Sequence, residues 1–364
     1  MKKILFLALA AALFTLSAFP TSAADVSGYI NGIIAYKACE SGAKSNEEWA
    51  EKLAQSAGTG AEWYIMYLHQ TGEYDFTEYA SSLAKYLSEN SLAGTEGLRC
   101  ALGFIAANHD SVYIDYAAEN FIGAQGIMSY IWGLHLLNNR AESSVYTAES
   151  LAEKIAEMRL SDGGFALSGD VGNVDVTAMA ISALAPYYAA SESVRETVYG
   201  AIEFLSSAQR ESGGFSSYGT ENCESAAQVV VALCALGIDP TADERFIKNG
   251  KSVLDAMCTY ALPSGAFSHT TGGEKSDMAT SQALYAFIAY ERMKEGKGSF
   301  FIFDVQENAT PADFADVNFK SETPQNGEND KNIDVKTVVC VSVIAVCAVG
   351  IAITVFLPKK KIDK

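Results

Sequence analysis

Residues 204–215 read FLSSAQRESGGF, the end of an amphipathic helix followed by two glycines and a phenylalanine. The same ending recurs as DGGF at residues 162–165 and as SGAF at residues 264–267. The closing phenylalanines, Phe165, Phe215 and Phe267, are 50 and 52 residues apart. A period of this length is typical of stacked supersecondary units. It therefore predicts a repetitive architecture rather than two unrelated domains.

Each glycine turn lies between two kinds of helix. The helix before the second turn carries Val194, Val198, Ile202 and Leu205 on one face, which leaves its other face to solvent. The segments after the turns, predicted as helices over 176–188, 226–236 and 278–290, are apolar nearly all round. A helix without a polar face must be covered on both sides. We therefore expect outer helices before the turns and inner helices after them.

The N-terminal half shows the same alternation. Inner helices are predicted over 61–69, 96–107 and 125–137, and an outer helix over 76–87. About six helical hairpins result, so the predicted fold class is all-α. The expected architecture is an α/α toroid, in which a ring of inner helices is surrounded by a ring of outer helices. Only residues 299–305 favour a strand.

The two ends of the chain predict export and anchoring. Residues 1–24 combine a basic start, a short apolar run and small residues, which are the parts of a secretory signal peptide. Residues 337–358 are uncharged and long enough to cross a bilayer. The tail, residues 359–364, starts with three lysines, and such charges stay on the cytoplasmic side. We expect a single-pass protein of the cell membrane with its N-terminal domain extracellular and its C-terminus cytoplasmic.

Between these ends we expect the toroid over residues 25–300 and a flexible acidic stalk over 301–336. The chain has 44 Asp and Glu against 26 Lys and Arg, a formal net charge of −18, which excludes nucleic acid as a partner. No His-x-x-x-His or Cys-x-x-Cys spacing occurs, so no metal site is predicted. The spacing of five cysteines determines no disulfide pairing: Cys39, Cys100, Cys223, Cys234 and Cys258. The lysine-rich signal peptide, the small number of cysteines and the lysines after the predicted span are together typical of a bacterial surface protein.

Residues 204–215 resemble the glutamine-aromatic repeat of the terpene cyclase and protein prenyltransferase superfamily. Gln209 and Phe215 stand at the two defining positions, although tryptophan is usual where Phe215 stands. The resemblance covers about residues 148–290 and implies that these two side chains tie an outer helix to the next inner one. The starts of the inner helices are also similar to the toroids of the intrinsic factor and transcobalamin family. That likeness implies a corrinoid as a bound ligand, and no other cofactor is expected.

Residues 173–178 read NVDVTA and look like the Asp-x-Asp-Asp-Thr-Ala motif of class II terpene cyclases. Asp175 falls on the position of the proton donor, while Asn173 and Val176 replace its acidic neighbours. Such an acid is tuned by adjacent carboxyl groups, so the replacements argue against catalysis. Asp175 could instead cap its helix or line a cavity. The zinc pattern of prenyltransferases is incomplete. Glu221, Asn222 and Cys223 are the nearest counterpart of its Asp-x-Cys pair, but Thr280 stands where a histidine would be.

A closed ring predicts a central hollow, and aromatic side chains near the inner-helix starts predict the wall of a ligand site. The candidate ligand-binding residues are Asp175, Trp63, Tyr64, Tyr130, Trp132, Tyr218, His269 and Tyr285. The leading interpretation is a non-enzymatic surface module that binds an unknown small molecule, glycan or protein. Two alternatives stay open. One is an isoprenoid cyclase that uses Asp175 as its acid, and the other is a polysaccharide-acting enzyme, although spacing identifies no facing pair of carboxylates.

Overall fold

The computed structural model describes residues 25–72 and 74–303, and in these ranges it contains thirteen α-helices and two short hairpins. The helices are α1 (Val26–Glu40), α2 (Asn46–Lys52), α3 (Ala61–His69), α4 (Thr77–Glu89), α5 (Gly94–Ala106), α6 (Val112–Phe121), α7 (Gly126–Leu137), α8 (Ala148–Ala156), α9 (Val174–Leu184), α10 (Glu192–Ala208), α11 (Cys223–Ala235), α12 (Val253–Cys258) and α13 (Asp277–Lys294). In the hairpins, β1 (Ser216–Ser217) pairs antiparallel with β2 (Thr220–Glu221), and β3 (Phe267–Ser268) pairs antiparallel with β4 (Lys275–Ser276).

Six helices form a closed inner ring. Helices α3, α5, α7, α9, α11 and α13 contact one another in chain order, and α13 also contacts α3. The remaining helices lie outside them; α1, for example, packs on α13, and α10 packs on both α8 and α9. Burial follows the same division, since twelve of the thirteen residues of α5 are buried but only five of the thirteen of α4. The predicted all-α toroid is confirmed.

The glycine turns bring the chain from an outer helix to the next inner one. Gly163, Gly213 and Gly265 have φ angles of 92°, 85° and 96°, in a region that is strained for any residue with a Cβ atom. The phenylalanine two residues later is fully buried in all three repeats. The Phe165 N–H donates to the Thr177 hydroxyl at 2.8 Å, so the turn is joined directly to α9.

Gln209 ties neighbouring repeats together, but through the glycine turn and the segment before the next outer helix rather than through the next inner helix, which the family resemblance implies. Its Nε2 atom donates to the carbonyl of Gly213 at 2.8 Å and to that of Phe246 at 2.9 Å. Phe246 belongs to the short 3-10 turn that precedes α12. The buried amide therefore satisfies two backbone carbonyls in different repeats, as buried polar groups require.

The toroid continues past its predicted end at residue 300. Phe301 and Phe303 are only 3% and 5% exposed. The Nε2 atom of Gln70 donates to the carbonyls of Phe300 at 2.6 Å and of Ile302 at 3.1 Å. The prediction of a flexible stalk from residue 301 is therefore wrong up to residue 303. A strand is also absent from residues 299–303, where an irregular segment packs on the ring.

The predicted signal peptide (1–24), the rest of the stalk (304–336), the predicted span (337–358) and the tail (359–364) lie outside the described residues. Within the ranges 25–72 and 74–303, no helix combines the length and the apolarity needed to cross a bilayer.

Candidate functional site

A chamber lies on the axis of the ring, and five of the six inner helices line it. Its apolar wall is largely aromatic, formed by Trp63, Tyr67, Trp132, Tyr285 and Phe301. The free volume is about 40 Å³, on a scale where one water needs roughly 10–15 Å³. The chamber therefore holds only a few waters in this conformation. A corrinoid or an isoprenoid chain would fit only if part of the wall moved.

The chain itself closes one end of the chamber. The Phe301 ring lies 4.0 Å from the ring of His135 and 5.5 Å from that of Trp132, centroid to centroid. The Asn139 side chain accepts from the N–H of Phe303 and donates to the carbonyl of Phe301, at 3.1 and 3.0 Å. Burial lowers the pKa of His135 to about 3, so its ring is neutral at pH 7 and packs as an apolar group. This end of the chamber lies at the C-terminal ends of the inner helices. At the opposite end, Trp63 and Met278 line the chamber near the starts of α3 and α13 and are partly exposed, so this end is its mouth.

Three of the predicted aromatic residues, Trp63, Trp132 and Tyr285, do line the chamber. Tyr64 does not line it. Its aromatic ring packs against that of Trp49 in helix α2, with 5.3 Å between the ring centroids.

Two further predicted residues lie away from the axis. Tyr130 packs against Tyr146, with 6.2 Å between ring centroids. Tyr218 is 72% exposed at the tip of the β1–β2 hairpin, with a φ of 53°. The structure thus divides the predicted aromatic set into chamber wall, packing around the ring of helices and, for Tyr218, exposed surface.

Asp175 lies at the start of α9, but it neither caps the helix nor lines the chamber, the two structural roles expected for it. The cap is Asn173, whose Oδ1 accepts from the N–H groups of Asp175 at 2.9 Å and of Val176 at 3.1 Å. The carboxyl of Asp175 is therefore free for other contacts. Its Oδ2 accepts from the Ser217 hydroxyl at 2.7 Å. Its Oδ1 is closed to solvent and has no hydrogen-bond partner.

His269 is brought to the same end of the ring, beside a second acid. Its Nδ1 lies 2.8 Å from Oε2 of Glu224, the second residue of α11. The carbonyl of His269 accepts from the N–H of Cys223 at 3.0 Å, which holds the β3–β4 turn against α11. Glu224 is only 6% exposed, and its Oε1 has no hydrogen-bond partner.

A common register places both acids at the mouth of the chamber. The N-caps of the last three inner helices are Asn173, Asn222 and Ser276. Two positions after these caps stand Asp175, Glu224 and Met278, and six positions after them stand Met179, Gln228 and Gln282. Four of these six residues line the chamber, namely Met278, Met179, Gln228 and Gln282, and the other two are the acids Asp175 and Glu224. Residues four apart share a helix face, so Asp175 and Glu224 lie one turn above chamber-lining residues, at its mouth.

The mouth disfavours negative charge. Burial raises the pKa of Asp175, while the nearby hydroxyls of Ser217 and Ser225 lower it to a smaller extent. Burial also raises the pKa of Glu224, and the neighbouring charge of Asp175 adds to that effect. Two carboxyl groups that influence each other in this way can share a proton or together hold one cation.

Sequence reasoning missed Glu224. Glu224 directly follows Glu221, Asn222 and Cys223, whose likeness to the zinc pattern ends one position before it. The sequence does contain a signal for Glu224, because Glu224 and Asp175 each stand two positions after the asparagine that caps their helix.

The residues of the incomplete zinc pattern have other contacts. The Cys223 thiol is buried near the Ala279 carbonyl, at 3.8 Å, and the Thr280 hydroxyl accepts from the N–H of Phe267 at 2.8 Å. In the described part of the chain, no group of three or more His, Cys, Asp and Glu side chains could hold a metal ion. The five cysteines there are free thiols.

The family comparison agrees with this architecture. The model of the prenyltransferase alpha-alpha toroid domain matches residues 115–274 and, in a second overlapping match, residues 187–307. Together the two matches span residues 115–307, more than half of the 364 residues. No curated protein matches the sequence.

Proposed function

Because the chain belongs to the prenyltransferase alpha-alpha toroid domain family, we propose that it is a ligand-binding module of this fold, held at the outer face of a cell membrane. The ligand enters the chamber by its mouth, past Asp175 and Glu224. The module is not an enzyme. The observation that carries this proposal is the pairing of an aromatic chamber with a buried polar mouth, since ligand pockets usually combine apolar walls with a few placed polar groups.

The contacts of Asp175 support binding rather than catalysis. A carboxyl group that protonates an alkene must be a strong acid, whereas burial raises the pKa of Asp175. Its neighbours in the chain, Asn173 and Val176, carry no acid.

The location at the membrane rests on the two ends of the chain. Residues 1–24 direct export, residues 337–358 span the bilayer, and residues 304–336 separate the domain from the lipid. The segment that closes the chamber, 299–303, leads straight into this linker. Attachment at this end leaves the mouth, at the opposite end of the ring, open to ligands.

Ligand binding is tested with the full chain in lipid nanodiscs, by thermal denaturation against corrinoids, isoprenoids, glycans and small amines. A ligand that enters the chamber raises the Tm of the wild type. It leaves the variant Gln228→Trp unchanged, because an indole at this lining position fills the space. Equal stabilisation of both proteins would place the ligand elsewhere, and a panel without any stabilising compound would count against the proposal.

The location is tested by labelling intact cells with a maleimide that does not cross membranes. Cys39 is the exposed thiol in the described ranges, so we expect it to be labelled and the variant Cys39→Ser to remain unlabelled. If labelling of Cys39 required lysis of the cells, the outward orientation would be wrong.

One observation favours an isoprenoid cyclase as the second candidate. Glu224 gives Asp175 the acidic neighbour that NVDVTA lacks, although from another helix. Incubating the full chain with linear isoprenoids and analysing the products by mass spectrometry distinguishes the candidates. A cyclic product lost in Asp175→Asn would establish the cyclase and overturn the binding module.

A further inference from the structure

We propose that the mouth of the chamber is a site for an organic cation, the ammonium or guanidinium group of a ligand whose apolar part enters the aromatic chamber. The cation would lie between the carboxyl groups of Asp175 and Glu224. This inference rests on the proposed binding function and specifies the chemistry of the ligand.

The first observation is an unpartnered acceptor in a buried position. Glu224 is 94% buried, and its Oε1 has no donor. Its Oε2 is occupied by His269 at 2.8 Å. Leaving a buried charged oxygen without a donor is costly. A ligand that donates to this atom removes that cost.

A second observation gives the direction of this oxygen. Glu224 stands two positions after its helix cap, as Met278 does on the next inner helix, and Met278 lines the chamber. Gln228, one turn further along the same face of α11, also lines it. The side chain of Glu224 therefore projects toward the axis, at the level where a ligand would enter.

Asp175 reaches the same place from the neighbouring helix. It occupies the equivalent position of α9, which packs directly on α11, and the influence of its charge on the pKa of Glu224 agrees with this placement. Its Oδ1 is closed to solvent and makes no hydrogen bond, and the Ser225 hydroxyl lies nearby. An ammonium group has three donors and a guanidinium five, so a single cation can satisfy both acids.

The charge of the surroundings selects a cation over an anion. The chain carries a formal net charge of −18, which favours the approach of positive ligands. The titratable groups known to interact at the mouth are Asp175 on α9, Glu224 on α11 and His269 on the β3–β4 turn. The ring of Trp132 lies in the chamber wall, and aromatic faces attract cations as well as apolar groups.

The test uses benzylamine, which is a cation at pH 7, and benzyl alcohol, a neutral molecule of nearly the same shape. Binding to the full chain in nanodiscs is measured by isothermal titration calorimetry. We expect the amine to bind at least tenfold more tightly than the alcohol. The variant Glu224→Gln should lose at least tenfold in affinity for the amine and keep its affinity for the alcohol.

Glu221→Gln is the matched control. Glu221 lies three residues before Glu224 on β2, where it accepts from the Ser212 hydroxyl at 2.7 Å, so its substitution should leave both affinities unchanged. A second variant, Phe301→Ala, enlarges the chamber from its closed end and should tighten amine binding, which keeps the test valid if the wild-type chamber is too narrow for a phenyl ring.

Each result has one meaning. Equal affinities for amine and alcohol, lost together in Gln228→Trp, would overturn the cation site and leave the binding function standing. Loss of amine binding in both Glu224→Gln and Glu221→Gln would also overturn it, because the effect would then be general charge. No binding of either compound to the wild type or to Phe301→Ala would overturn the cation site, while a Tm rise from another ligand would still support the module.

Discussion

The Nδ1 atom of His269 lies 2.8 Å from Oε2 of Glu224, so a turn of one repeat supplies a donor to the inner helix of the repeat before it. Through this contact the β3–β4 turn is held at the edge of the mouth of the chamber. Removing the imidazole takes from this buried carboxyl group its side-chain hydrogen-bond partner.

His269→Ala should therefore destabilise the protein at pH 7 by about 1–3 kcal/mol, the usual cost of an unsatisfied buried group. The loss should be smaller in the background of Glu224→Gln, since the two side chains act as a pair. Urea denaturation of the four proteins of this double-mutant cycle measures the difference. Additive losses would show that the contact does not contribute.

Asp175→Asn should stabilise the protein at neutral pH. Burial raises the pKa of Asp175, so its contribution to stability is present below the ordinary pKa near 4 and is lost as the pH rises through the folded-state value. The amide keeps the acceptor for Ser217. We expect a gain of about 1 kcal/mol at pH 7, as is common when a functional polar site is neutralised, and little difference near pH 3.

Thermal denaturation between pH 3 and pH 8 measures this effect, with Asp170→Asn as an exposed control. A variant less stable than the wild type at pH 7 would mean that the charge of Asp175 supports the fold.

Phe301→Ala should cost about 3–5 kcal/mol, because a fully packed aromatic ring is removed and a cavity remains. Ile302→Ala, a change of the neighbouring residue that is only partly buried, should cost much less. Urea denaturation of the full chain compares the two. Similar small losses would show that residues 299–303 are only loosely attached to the ring.

The pH dependence of stability should show the buried imidazole of His135. Its pKa is lowered from 6.5 to about 3, so the stability it contributes is present above pH 6.5 and is lost as the pH falls toward 3. A single proton gives a slope of about 1.4 kcal/mol per pH unit in this window. His135→Leu should reduce the slope by about that amount. An unchanged slope would mean that the histidine takes up its proton in the folded state.

The repeat pattern made the toroid predictable from sequence. The apolar pattern of residues 61–69 predicted both ends of α3 correctly. The turns ending at Phe165, Phe215 and Phe267 predicted the positions of three of the six hairpins. Boundaries were less accurate where a side chain sets them. Helix α11 begins at Cys223 rather than residue 226, because Asn222 caps it.

The closed end of the chamber could not be predicted, because it depends on contacts between distant parts of the chain. Phe300, Phe301 and Phe303 precede an acidic stretch, so residues 301 onward resembled a stalk. Their burial requires Gln70 and Asn139, more than 160 residues earlier. No local pattern contains that information.

The site was predicted in part. Asp175 and His269 were singled out separately, and the structure places both at the mouth of the chamber, while ligand binding by them stays a prediction. Their link, Glu224, was missed because spacing along the chain does not show which helices are neighbours. Tyr64, Tyr130 and Tyr218 share their type with the chamber residues, but only their direction on the helix or hairpin decides that they face elsewhere.

Hydrogen exchange with and without benzylamine, on the full chain in nanodiscs, tests the central claim most directly, namely that ligands occupy the chamber through its mouth. We predict slower exchange at the starts of α9, α11 and α13, with the outer helices α4 and α6 unchanged and no such effect in Gln228→Trp. Protection confined to the outer helices, or the same protection in Gln228→Trp, would contradict the account.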